Sequence, residues 1–262
     1  MAHSVEDKRS SRITHIRNHI DSEDVDRKVH FIVTNTGNPL ACLMRLASNA
    51  EARAMYSWFH DKDLDATKQW LYVAGRLDKM RYERETDRLN AGGKTLQLFR
   101  PLLSDNEELI RWFIWDADIY DQKSVDDPDL IDFWAFQAVL ALRGNWDRLK
   151  ERCDIMLSRP SVPHNLKNYI DDYKFYLALA NKDRAGIVDG ISSLLTAEML
   201  GARSKDESGF TEDLISKPAV IYAKIAWRYG FQIELGSEYV PSDWLAIKPL
   251  SQYDAHYKFL QR

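Results

Sequence analysis

Cysteine is almost missing from this chain: its 262 residues contain only Cys42 and Cys153, in no CxxC spacing. Count and spacing exclude a disulfide-stapled scaffold and a thiolate metal or redox site, leaving buried free thiols in a reducing compartment as the expected state. Long apolar runs are also missing, since no segment approaches the roughly 18 uninterrupted apolar residues of a membrane span. The charged start, with Lys8 and Arg9, leads into no apolar stretch of the kind a secretory signal needs. These absences predict a cytoplasmic protein that does not engage a membrane. A basic excess is lacking too, and a formal net charge of -4 argues against a general nucleic-acid binder and for a basic partner. Strand-like alternation is confined to Phe231–Leu235, which predicts at most one short β segment near the C-terminus.

Helical periodicity fills most of the remainder. From Asp65 to Thr86, Trp70, Val73, Ala74 and Leu77 recur at the i, i+3, i+4, i+7 spacing of one helix face. Asn90-Ala-Gly-Gly93 reads as the turn that terminates this helix, and Ser104 with Glu107 reads as a capping box opening the next. From Leu130 to Leu142 only Asp132 and Gln137 are polar, so this helix belongs in a core, with Asp127 expected as N-cap and Pro128 at the first helical position. The turn at Gly144 is too short for anything but an antiparallel partner over Trp146 to Ser158. A second hairpin is predicted from Asn165 to Ala180 and Ala185 to Leu200, joined through Asn181-Lys-Asp183. Leu140-Ala-Leu142 and Leu177-Ala-Leu179 precede the two turns at a separation close to the ~34-residue tetratricopeptide period. The expected fold is one all-α domain over residues 1–262, a multi-helix bundle with repeat-like, tetratricopeptide-like antiparallel hairpins.

The stretch from Glu207 to Pro249 has the most distinctive order of signals. Glu207-Ser-Gly-Phe210 leads into Leu214 to Trp227, where Lys224 is the only polar residue from Ala219 onward, and Val240-Pro-Ser-Asp-Trp-Leu-Ala-Ile-Lys-Pro249 follows. Ser216 and Pro218 mark a helix start and Gly230 a stop. A helix with almost no wet face must be surrounded by others. This order resembles the immunity protein 49 family of bacterial polymorphic-toxin systems, whose members end in a similar helix followed by a Pro-x-x-Trp-Leu segment. Asp132–Asp147 and Tyr176–Asp183 look like that family as well, so the resemblance is clearest over about the last half of the chain. It implies a non-enzymatic protein, without cofactor, that binds a cognate toxin stoichiometrically in the cytoplasm of the producing cell. Such toxins travel through secretion systems, type VI among them, in competition between bacteria. The family offers no catalytic motif to carry across.

Charge suggests where such a partner would sit. Ser104 to Asp132 holds ten acids against Arg111 and Lys123, a local balance of -8 that leaves the rest of the chain at +4. Asp105, Glu107, Asp127 and Asp129 fall at expected helix starts, where the helix dipole favours carboxylates. The candidate toxin-binding residues are Trp115, Asp116, Asp118, Tyr120, Asp121, Asp126, Asp127 and Asp129. Their carboxylates would steer a basic surface and the aromatics would anchor it, which suits a nuclease-type toxin whose cleft must be basic.

Other motifs read as structural. His15 and His19 have the i, i+4 spacing of a chelating pair but no third ligand, so a solvated pair is expected. Of Asp171 and Asp172, one is expected to face solvent and the other a neighbouring lysine. Asn90-Ala-Gly-Gly-Lys-Thr95 lacks phosphate-loop spacing. Trp58, Trp112 and Trp115 are the tryptophans least tied to a core by their spacing. The alternative to an immunity protein is a helical scaffold that holds a peptide or protein in its hairpin groove, which calls for a run of exposed Asn, Lys or Arg on the inner helices, and Asn165, Lys167 and Asn168 supply only a little of that.

Overall fold

The computed structural model describes residues 5–86 and 90–261. Helices α1 (Val5–Ser22) and α2 (Val25–Thr34) lead to a long hairpin of α3 (Pro39–Phe59) and α4 (Leu64–Arg84). Local chemistry sets these limits. Asn38 caps α3 by accepting from Ala41 N at 3.0 Å with Pro39 in the first turn, and Asp63 caps α4 by accepting from Ala66 N at 2.9 Å.

Short helices follow: α5 (Ala91–Gln97), α6 (Phe99–Ser104), α7 (Glu107–Arg111) running into a π-helical turn at Trp112–Asp116, and α8 (Gln122–Asp126). The repeat-like part comprises α9 (Ile131–Leu142), α10 (Trp146–Leu157), a 3-10 turn at His164–Tyr169, α11 (Ile170–Ala180) and α12 (Arg184–Ser193). A short α13 (Ala197–Ala202) precedes α14 (Lys217–Arg228) and the docked tail. The fold is all-α, and Phe231–Leu235 forms no strand; its Ile233 is buried and accepts a hydrogen bond from Trp227 Nε1 at 3.2 Å.

Helix α14 is the core element its composition predicts. Tyr222 stacks on Phe175 of α11 at 4.6 Å and meets Tyr176 edge-on at 5.1 Å, and residues 217–226 are all buried. Gly230 at φ +84° ends it, a conformation nearly free for glycine and costly for other residues. Trp244 of the tail is buried against Trp58, Phe59 and Phe99, so Trp58 is partly buried in this packing.

Three buried charge clusters tie this core together. Lys68 of α4 and Lys224 of α14 both pair with Asp105, at 2.8 and 2.7 Å, and Lys224 also donates to the carbonyls of Trp244 and Ala246. Glu51 of α3 pairs with Arg100 and accepts from Ser208. Burial alone would raise its carboxyl, but the charges of Lys217 and Arg100 win and hold it at about 2. Asp172 of α11 accepts from Arg203, whose Nη1 is shared between the two carboxylate oxygens at 2.7 and 2.8 Å, and from the Tyr222 hydroxyl.

The structure corrects several local expectations. Asn90 begins a helix instead of ending one: at φ +62° it accepts from Gly93 N and caps α5, while α4 has already stopped at Arg84. The cap of α7 is Asn106, with Ser104 spent in the last turn of α6. Asp127 closes α8 and accepts from Asp129 N, so α9 starts at Ile131 without a side-chain cap. The predicted helix over 185–200 breaks between α12 and α13, where Thr196 caps the second piece. Asp171 pairs with Lys174, but the partner of Asp172 is a buried arginine. Asp105 is fully buried in the left-handed region at the end of α6, not at a helix start.

Candidate functional site

Helix α7 widens into the π turn, closed by Ala117 N donating to Trp112 O at 2.9 Å. The extra residue in this ladder turns Phe113 and Ile114 inward and leaves Trp115 at the surface, 56% exposed. Its ring is held from one side by Arg143, whose guanidinium lies 5.1 Å from the ring centroid and whose Nε donates to Ile114 O. Asp116 and Asp118 follow, both exposed.

Tertiary contacts redistribute the acidity of this segment. Glu107 takes a bidentate bond from Arg228 of α14 at 2.7 and 2.6 Å, and Asp129 pairs with Arg159. Asp126 receives Arg148 and Arg152 of α10; burial would raise its carboxyl, but hydrogen bonds from Gln122 and Arg148 and the two nearby cations hold it below the usual range. Arg152, buried 3.6 Å over the Phe133 ring and donating to the carbonyls of Val125 and Phe133, makes that clamp part of the framework. Asp132 accepts from Ala91 N at 2.9 Å. Asp121 caps α8 through Ser124 N.

The candidate residues therefore separate into two groups. Trp115, Asp116 and Asp118 share one exposed turn. Asp121, Asp126, Asp127 and Asp129 are engaged in caps, turns and ion pairs within the fold, and Tyr120 is buried with its ring edge-on to Phe136 at 5.4 Å, so it offers no surface anchor. Two aromatics that sequence reasoning did not single out lie close along the chain to Arg143 or pack against its turn. The turn bearing Arg143 also bears Trp146, which meets Tyr229 at 4.6 Å, and the Tyr229 hydroxyl donates to Ala141 O. No local signal joins them, because Tyr229 arrives from the far end of α14.

Elsewhere, His15 and His19 lie against Phe210, the latter at 4.6 Å. Among the described residues no three His, Cys, Asp or Glu side chains are grouped to hold a metal, and no helix is long and apolar enough to cross a membrane. A cleft of about 550 Å³ lies beside α13, and Arg12 and Arg9 of α1 engage its carboxylates Glu212, Asp213 and Glu238.

No curated protein and no solved structure matches the chain. A protein-family model does, that of immunity protein 49, over residues 61–244, which takes in the exposed turn, the repeat-like hairpins and α14. Spanning well over half of the chain, this match makes the protein a member of the immunity protein 49 family.

Proposed function

We propose that the chain, acting as one domain in the cytoplasm, binds a cognate bacterial toxin through the face centred on Trp115 and blocks the toxin's active site. Membership of an immunity family supports the binding of a toxin. The observation that carries the choice of face is Trp115: a large ring more than half exposed, fixed by Arg143 and the π turn, and followed by Asp116 and Asp118. Exposed tryptophan, tyrosine and arginine are the residues that most often dominate interface energies, and a ring already held in place loses little entropy on binding. The carboxylates complement a basic cleft, which favours a toxin that acts on nucleic acid.

The experiment is co-purification and calorimetric titration with the toxin domain encoded by the neighbouring reading frame. Trp115→Ala should weaken binding by about 2 kcal/mol or more, roughly 30-fold. The pair Asp116→Lys and Asp118→Lys should slow association, most strongly at low salt. Asp121 is left intact because it caps α8. Unchanged affinity in the Trp115 variant would remove this face from the interface.

A further inference from the structure

Helices α10, α11 and α12 leave a groove along their outer side. Two adjoining depressions, of about 850 and 470 Å³, share Leu157 and Leu177 in their walls. The floor is apolar, with Ile155 40% exposed beside those leucines and Ala178. The close approach of α11 and α12 that forms one end depends on missing side chains. A Cβ on Gly190 would come within 2.8 Å of Phe175, and one on Gly186 within 2.8 Å of Ala178.

The rim is acidic. Glu151, Asp154 and Asp189 line the groove and make no ion pair among the described residues, while Lys174, the cation lining it, is held by Asp171 at 2.7 Å. On α10 the helix divides cleanly: Arg152, Cys153 and Met156 point into the core, and Glu151, Asp154, Ile155 and Ser158 face out. A neutral peptide would leave those carboxylates without a counter-charge, and an acidic one would repel them. An amphipathic segment with apolar and basic side chains satisfies floor and rim together.

We propose that this groove is a second docking surface, lined by none of the residues of the face at Trp115, and that it takes a basic amphipathic segment of a partner protein. Apolar side chains of the segment would cover Ile155, Leu157 and Leu177, and lysines or arginines would reach Glu151, Asp154 and Asp189. The exposed Asn165, Lys167 and Asn168 anticipated for a peptide-holding scaffold do not line it.

The test is fluorescence-anisotropy titration of the full chain with a labelled 18-residue amphipathic peptide of leucine and lysine, and with the same peptide carrying glutamate in place of lysine. The lysine peptide should bind and the glutamate peptide should not. Glu151→Lys, Asp154→Lys and Asp189→Lys together should weaken binding on the order of tenfold or more. Reversal of three acids elsewhere, Asp65, Glu234 and Asp243, matches the change in net charge and should have a much smaller effect. Ile155→Lys, which alters the floor alone, should weaken binding as well. Circular dichroism and urea unfolding of each variant establish that the fold is kept. No binding of the lysine peptide, or equal loss in both triple variants, overturns the proposal. Light scattering that finds a dimer abolished by the groove substitutions also overturns it, since the occupant would then be a second copy of the chain.

Discussion

Asp105→Asn isolates the charge at the centre of the fold. Asp105 lies between Lys68 and Lys224, with side chains 0%, 3% and 0% exposed, and the tail is tied on through Lys248 N. Asparagine keeps the size of the residue and tolerates the left-handed backbone at φ +57°, so the substitution removes charge without forcing the turn to change. Two buried ammonium groups then lose the anion that, among the described residues, they share. Removing one partner of a buried pair costs about 3–5 kcal/mol, because the remaining charge is uncompensated. For a chain of this size that corresponds to a melting temperature lower by roughly 6–20 °C. Urea unfolding followed by tryptophan fluorescence should show a lower midpoint with an unchanged slope. Adding Lys224→Met to Asp105→Asn should recover about 1 kcal/mol or more, since one stranded cation is gone, and this non-additivity marks the coupling. A loss below about 1 kcal/mol in the single variant would refute the argument that this anion holds α4, α14 and the tail together.

The pH dependence of stability tests the same cluster. Burial pulls Lys224 down to about 8 against the opposing charge of Asp105, so from there up to the ordinary lysine value the unfolded chain binds more protons and stability rises with pH. The Cys153 thiol, pushed up to about 12 by burial, acts oppositely above its ordinary value, because only the unfolded chain then loses that proton. Comparing wild type with Lys224→Met at pH 7 and 9.5 separates the two: the wild type should gain relative to the variant, and parallel curves would contradict the assignment. Gly190→Ala should destabilise by about 1–3 kcal/mol, since its Cβ would meet Phe175 backbone and side chain, outweighing alanine's helical advantage of ~1 kcal/mol. Gly201→Ala, with nothing within 4 Å, should instead stabilise by about 0.5–1 kcal/mol. Thermal melts that place both glycine variants on the same side of wild type would contradict the packing described for α11 and α12.

Legibility in the sequence followed the range of the forces involved. The limits of α14 at Ser216, Pro218 and Gly230 and the pairing of α9 with α10 through Gly144 could be read, because caps, turns and periodicity act within a few residues. Asn90 was misread because asparagine suits a left-handed position at either end of a helix, and the choice between ends depended on where α4 stopped. The π turn that exposes Trp115 has no composition of its own. It sits where α7 must reconcile an inward Phe113 and Ile114 with Arg143 bonded to the Ile114 carbonyl.

Sequence alone determined the all-α class, the core helix and the family, since each rests on the order of apolar residues, prolines and glycines along the chain. It also located an excess of acid from Asp105 to Asp132. Only the tertiary structure decided which of those acids a partner can meet, because the cations that neutralise Asp105, Glu107, Asp126 and Asp129 come from α4, α10, α14 and Arg159. Formal charge sums along a chain, whereas the field at a surface depends on which opposite charges lie within a few ångströms. That distance is a property of the packed helices.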